Sequence, residues 1–175
     1  MTSSAKLALF EESIVPHLDA AYNLARWLAR NEHDAEDIVQ EAYLRAFRFF
    51  DSFHGGDGKA WLLAVVRNTC ITWQRRERGL AKVPFDERTH GETDAAANAE
   101  ARLLSQAEFG DVRNCLEALP REFREVLVMR ELEEMPYREI AEVTALPIGT
   151  VMSRLSRARR RLLDCVAGRL PGGAK

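Results

Sequence analysis

Five arginines occupy the eight positions from Arg154 to Arg161, in a chain whose formal net charge is only −2. Guanidinium groups pair bidentately with phosphate and with the major-groove edge of guanine, so a helix this rich in arginine is a candidate for nucleic-acid contact. A second basic group lies earlier, at Arg75, Arg76 and Arg78, with Arg67 and Asn68 two turns before it. It suggests a second nucleic-acid surface. A third constellation has the opposite sign. Asp34, Asp37 and Glu41 stand at i, i+3 and i+7, which places three carboxylates along one helix face. Such a face repels itself unless it meets positive charge, and it suits a basic protein partner.

Other chemistries find no support in the residue pattern. His17, His33, His54 and His90 fall in four separate segments, none with a second His or a Cys as metal-ligand partner at helical spacing. The glycine cluster Gly55–Gly58 is too short for a phosphate loop, and no strand precedes it. The sequence therefore predicts no catalytic site, no metal and no cofactor. Cys70, Cys115 and Cys165 are isolated from one another, and are expected to be small buried hydrophobes in a reducing compartment. The N-terminus lacks a signal-peptide pattern, and no apolar run approaches the ~18 residues of a membrane span. The expected location is the cytoplasm.

The elements that must position these side chains are helices. The chain has 175 residues, 46% of them hydrophobic, and Ala, Leu, Arg and Glu dominate, all strong helix formers. Apolar residues recur at helical spacing from Leu7 to Arg30, through Phe10, Ile14, Leu18, Ala21, Ala25 and Leu28. A second helix is expected from about Asp34, its N-cap, to Phe50, and a third from about Lys59 to Arg78. On that third helix Trp61 is expected in the core, and Trp73 is open between core and base-stacking roles. "FHGGDG", from Phe53 to Gly58, is a loop. The stretch from Gly79 to Asn98 has low hydrophobicity and no sustained period, as a linker does. Periodicity returns from Leu103 to Leu119, then in "REFREVLVMRELEE" after Pro120. The predicted fold is all-α, in two small helical domains: residues 1–78 and 108–175, with 79–107 as a flexible linker.

The last segments, "YREIAEVTAL", "PIG" and "TVMSRLSRARRRL", form a helix-turn-helix pattern. Ile140 and Val143 can pack inward, and Ala141 is small enough for a second helix to cross closely. Gly149 is expected to supply the unusual backbone of the turn and Thr150 to cap the second helix. Val151, Leu155, Ala158 and Leu162 then make one buried stripe. Met152, Ser153, Ser156, Arg157 and Arg160 face outward, where a recognition helix meets base edges, and Arg154, Arg159 and Arg161 flank them within reach of phosphates. An arginine run alone would be a solvated face. With the turn, the small residue and the stripe in place, DNA binding is the stronger reading.

Taken together, "DAEDIVQEAYLRAFR" and "GTVMSRLSRARRRL" resemble the patterns of bacterial sigma factors of the extracytoplasmic-function (ECF) group, and their order and separation fit as well. The similarity covers about residues 8–78 and 108–165. It implies the family's two domains, regions 2 and 4, and promoter-specific transcription initiation under stress. By that resemblance Asp34, Asp37, Gln40 and Glu41 dock on the β′ clamp helices of core RNA polymerase, whose β flap is a further expected contact. The loop from Phe53 to Ala60 and the helix from Trp61 to Arg76 would open and read the −10 element, with Phe53, His54, Asp57, Lys59, Arg67, Asn68, Arg75 and Arg76 as candidate contacts. One non-template base would flip into a pocket made by the loop. Met152, Ser153, Ser156 and Arg157 fall at −35-reading positions, with Arg154 and neighbouring arginines on the backbone, and Thr150, Arg160 and Arg161 complete the candidate −35 contacts. Control by an anti-sigma factor is implied too. The competing reading is a stand-alone helix-turn-helix regulator, which accounts for residues 108–165 but leaves the acidic face and the second basic helix unexplained.

Overall fold

A computed structural model describes residues 3–29, 31–80 and 108–169 of the chain, and every regular element in them is helical. The apolar repeat expected to form one helix from Leu7 to Arg30 is divided. Helix α1 spans Ser3–Ser13, a 3-10 turn follows at Val15–His17, and α2 spans Leu18–Ala29. The break sits at Pro16, which opens the 3-10 turn and has no backbone N–H to continue the α1 ladder. Helix α3 spans Glu32–Phe49. Its N-cap is Asn31 rather than Asp34: the Asn31 side chain accepts a hydrogen bond from Asp34 N at 2.8 Å and donates one to Asp34 Oδ2 at 2.6 Å. Asn and Asp cap about equally well, and the helix takes the earlier of the two candidates.

Helix α4 spans Gly58–Leu80, so Gly79 and Leu80, read as the start of the linker, continue the helix. Residues 81–107, which include the rest of the expected linker and the Leu103–Ala107 start of the next helix, lie outside the described residues. The core of the N-terminal half joins Leu24 and Leu28 of α2, Ile38 and Ala42 of α3, and Leu62, Leu63, Val66 and Cys70 of α4, all essentially without exposure. Phe10 closes one end and meets Tyr43, Phe47 and Phe50 edge-on at centroid distances of 5.1–5.2 Å.

The C-terminal half comprises α5 (Glu108–Ala118), α6 (Arg121–Leu127, running on as a π-helical turn Val128–Leu132), α7 (Tyr137–Thr144) and α8 (Ile148–Arg169). Val126, Met129, Ile140, Val143, Val151, Leu155 and Ala158 fill its core, and Leu162 packs at the edge, so the stripe expected on α8 is the buried one. Arg124 is 1% exposed because its guanidinium turns back onto α5, donating to the carbonyls of Glu117 at 2.5 Å and Leu119 at 3.4 Å. Those are acceptors that a helix end leaves open.

Two sequence expectations about this half need correction. Cys115 and Cys165 are not independent hydrophobes: they form a disulfide with Cα atoms 5.8 Å apart that fastens α5 to the last turns of α8. Their 50-residue separation hides the pairing, which comes from the packing of α5 on α8. Cys70 stays free and buried, its thiol pushed up to about 12 by burial. The turn between α7 and α8 also bends earlier than expected. Ala145, not Gly149, takes the left-handed conformation, with φ 55°. The Pro147 carbonyl accepts from Thr150 N and Val151 N at 2.9 and 3.1 Å, so α8 starts before Thr150 and Thr150 lies in its first turn. Gly149 is already helical there.

The two halves pack on each other, α4 against α7 and α2 against α6. Polar pairs cross that boundary. Arg67 donates to Glu125 from Nε at 2.8 Å and from Nη2 at 3.1 Å, and Asn23 reaches Glu133 at 2.6 Å. Gln74 receives a bond from Arg121 at 3.1 Å.

Candidate nucleic-acid interface

The recognition surface on α8 follows from its buried stripe. With Val151, Leu155 and Ala158 inward, Met152, Ser153, Ser156, Arg157, Arg160 and Arg161 are exposed. Ser153 Oγ bonds back to the Thr150 carbonyl at 3.0 Å, and Thr150 is half-buried. Arg157 and Arg160 carry no ion pair among the described residues, and their guanidiniums are free to meet an external acceptor. The flanking arginines are engaged. Arg161 lies over the Phe123 ring at 4.8 Å, Arg159 grips Glu131 at 2.6 Å, and Arg154 points toward Glu125 at 3.9 Å. Hydrogen bonding to Glu131 raises the Arg159 pKa further. A band of free cations at the centre of the helix face, edged by paired ones, is an arrangement suited to a polyanion groove.

The second surface is built on the loop ahead of α4. Gly55 and Gly56 have φ of 85° and 97°, left-handed values that glycine adopts without strain. Asp57 Oδ1 accepts from Lys59 N at 2.8 Å and Ala60 N at 3.2 Å, so this predicted DNA contact is first of all the N-cap of α4. Phe53 stacks on Phe50 at 5.5 Å and leans on Trp61 at 5.4 Å. Trp61 is therefore a half-buried wall rather than a core plug. Behind them lies a pocket of about 410 Å³, lined by the loop from Ser52 to Asp57, by Ala60, Trp61 and Ala64 of α4, and by Glu142 and Val143 of α7.

The structure does not leave the basic residues of α4 equally available. Asn68, Arg75 and Arg76 are exposed, as is His54, although Arg76 approaches Glu41 at 3.5 Å. Lys59 is held by the Glu133 carbonyl at 2.7 Å and its carboxylate at 3.2 Å, and Arg67 by Glu125. Trp73 is half-buried, with its indole N–H enclosed and unpartnered.

The acidic face of α3 is present but uneven. Gln40 is exposed and Asp34 and Asp37 partly so; His33 approaches Asp37 only at 3.9 Å. Glu41 is turned inward to Arg45 and Arg76. Leu44, one turn on, is 71% exposed, an apolar side chain beside the carboxylates that pattern reading did not single out. Sequence reasoning also missed Glu125, 2% exposed. Its one local signal is a charge inside the apolar run "REFREVLVM". Among the described residues no cluster of His, Cys, Asp and Glu could hold a metal, and no helix is long and apolar enough to cross a membrane.

Comparison with known proteins places both surfaces in matched segments. Residues 14–79 match the family described as Sigma-70 region 2, and residues 109–162 the family described as Sigma-70, region 4. The ECF RNA polymerase sigma factor SigE of Mycolicibacterium smegmatis is 31% identical over 93% of this chain and 63% of its own length. The ECF RNA polymerase sigma-E factor of Escherichia coli is 34% identical over 74% of this chain and 72% of its own. The chain thus spans somewhat under two thirds of the first relative. Among solved structures, the sigma factor RpoE of Bartonella quintana, crystallised with the anti-sigma factor NepR, superposes with a TM-score of 0.69 at 26% identity, over 92% of this chain and 98% of that one. CnrH, solved with the cytosolic domain of CnrY, shares the fold, with a TM-score of 0.63 at 24% identity over 92% and 89% of the two chains.

Proposed function

Because this chain belongs to the ECF group of the sigma-70 family, we propose that it is a promoter-specificity subunit of RNA polymerase. It docks on the β′ clamp helices of the core enzyme through Asp34, Asp37, Gln40 and Glu41, and on the β flap through its C-terminal half. It carries no catalysis of its own. The observation that supports this most is the coexistence, on one chain, of a helix-turn-helix with free outward arginines and a second site, the loop ahead of α4 with its aromatic-walled pocket. A stand-alone regulator needs only the first.

In this reading Arg157 reads −35 base edges, with Met152, Ser153 and Ser156 beside it, while Arg154, Arg160 and Arg161 reach phosphates. Asn68, Arg75 and Arg76 follow the −10 strand, and the pocket behind Phe53 and Trp61 receives an unstacked base, which aromatic walls can stabilise by stacking. Asp57 contributes by fixing the start of α4 rather than by touching DNA. The domains take the bounds 1–78 and 108–175, and an anti-sigma factor, of the kind found with the Bartonella protein, restrains the chain by covering the acidic face. Action is cytoplasmic, where the polymerase is.

Asp37→Lys tests the docking face with little risk to the fold, because Asp37 has no close internal partner. Its affinity for core polymerase should fall at least about tenfold while its thermal midpoint stays put, since exposed charges usually matter by less than ~0.5 kcal/mol. Unchanged affinity would remove Asp37 from the docking face.

A further inference from the structure

One arginine of α8 is held by protein groups from two other elements. Arg159 follows the buried Ala158 and so lies roughly 100° round the helix from the core stripe, beside the outward face. Its Nε and Nη2 both donate to Glu131 Oε1, at 2.9 and 2.6 Å, and the Tyr137 side chain at the start of α7 hydrogen-bonds the same guanidinium. Tyr137 is itself fixed. Arg130 lies over its ring at 4.8 Å and donates to the Met135 carbonyl at 3.0 Å, spanning Glu134, whose φ of 54° is left-handed. The π-helical turn, the bend before α7 and α7 itself therefore converge on one side chain of α8. Arg154 and Arg161, seven residues apart and so on nearly the same side of the helix, tie the opposite flank through Glu125 and the Phe123 ring.

We propose that Glu131 and Tyr137 are positioning residues for promoter reading: through Arg159 they set the roll of α8, and so decide which base edges Arg157 and its neighbours meet. The proposal rests on the reading of α8 as the −35-reading helix. Arg159 and Glu131 are 43% and 50% exposed, and pairs so open to solvent contribute little to folding, so the tie matters for geometry and not for stability. The geometry is sensitive. Ala158, the stripe residue next to Arg159, has no side chain beyond Cβ to key α8 against rotation. A roll of ~20° displaces a group at the rim of a helix of about 5–6 Å radius by roughly 2 Å, whereas a binding constellation must be held within ~0.5 Å. Electrostatics alone points the other way. Glu131 is a carboxylate beside a DNA-facing helix, so it opposes phosphate binding, and its removal would by charge alone tighten binding to every sequence.

Glu131→Gln, Tyr137→Phe and Arg159→Ala, each in the full chain reconstituted with core polymerase, test this. Tyr137→Phe keeps the ring under Arg130 and removes only the hydroxyl. The probes are a fluorescein-labelled duplex promoter carrying a start mapped from RNA 5′ ends, and copies with single base-pair changes in the −35 or the −10 element. All three variants should lose about tenfold of the preference for the unaltered −35 element, the scale of one bidentate base contact. Preference at −10 positions and the slope of affinity against salt should stay as in the wild type. Full −35 preference in Glu131→Gln and Tyr137→Phe would overturn the proposal. Equal losses at −35 and −10 would overturn it too, since they mark general damage. A salt slope lowered by about one in Arg159→Ala, with preference intact, would make Arg159 a phosphate contact and overturn it as well. Wild-type holoenzyme that ignores −35 changes would defeat the function proposed above, and the positioning role with it.

Discussion

Two glycines that look alike in sequence should respond oppositely to the same substitution. A Cβ added at Gly58 would lie 2.2 Å from the Ser13 carbonyl oxygen and 3.6 Å from the Ile14 side chain. The first contact is with backbone, so relief requires α4 to move away from the end of α1 by roughly 1 Å in a close-packed setting. Insertions of this kind cost typically ~1–3 kcal/mol, and the helix-propensity gain of Gly→Ala, at most about 1 kcal/mol, offsets only part of it. At Gly149 nothing lies within 4 Å, and the backbone is helical, so Gly149→Ala keeps the propensity gain with no clash. Thermal denaturation of the two variants should therefore show Gly58→Ala falling by several degrees, at about 4–8 °C per kcal/mol for a unit of this size, and Gly149→Ala unchanged or slightly higher. Because Gly58 follows the capping Asp57 and precedes the pocket wall at Ala60 and Trp61, oligonucleotide binding by Gly58→Ala should weaken even well below its midpoint. A Gly58→Ala protein as stable as the wild type would refute the close approach of α1 to α4, and with it the account of what fixes the loop.

Reduction of Cys115–Cys165 reopens a loop of 50 residues, worth roughly 4 kcal/mol of chain entropy, so reductant or the Cys115→Ala/Cys165→Ala pair should lower the calorimetric midpoint of the C-terminal half; identical midpoints would deny the bridge. Glu139 binds its proton more tightly when folded than unfolded, which makes stability fall as pH rises from the ordinary carboxylate range through its raised value. Glu139→Gln should flatten that slope in thermal melts on the alkaline side of the ordinary carboxylate range, and an unaltered slope would remove Glu139 as its source. On α8, Arg157→Ala should cost ~1–3 kcal/mol at one or two −35 positions, whereas Arg161→Ala should weaken all sequences alike in a binding assay across promoter variants; equal losses everywhere for both would end the base-reading role of Arg157.

What the sequence made legible was local and periodic. The stripe through Val151, Leu155 and Ala158 fixes which arginines face out, because side-chain direction on a helix follows from spacing alone. The carboxylates of α3 and the loop glycines were visible for the same reason. The missing parts are decided by neighbours distant in the chain. Nothing local tells that Glu41 turns to Arg76 of another helix, or that Glu125 is buried by Arg67 from the other half. The disulfide is hidden in the same way. The late placement of the α3 cap and of the bend before α8 has a different origin. Asn31 and Asp34 are comparable caps, and Pro147 offers its carbonyl to α8 ahead of Thr150, so local preference left two solutions and packing selected one.

The central claim is that one chain supplies polymerase with promoter recognition. It is tested most directly by initiation in vitro, with purified core RNA polymerase, this protein, and a template whose start site has been mapped from RNA 5′ ends after overexpression. The account predicts a discrete transcript from the mapped start with core plus protein, none with core alone, and loss of that transcript in Asp37→Lys. Binding of the protein to the same DNA without polymerase, with transcription altered only when another sigma factor is supplied, would contradict it and identify a stand-alone regulator instead.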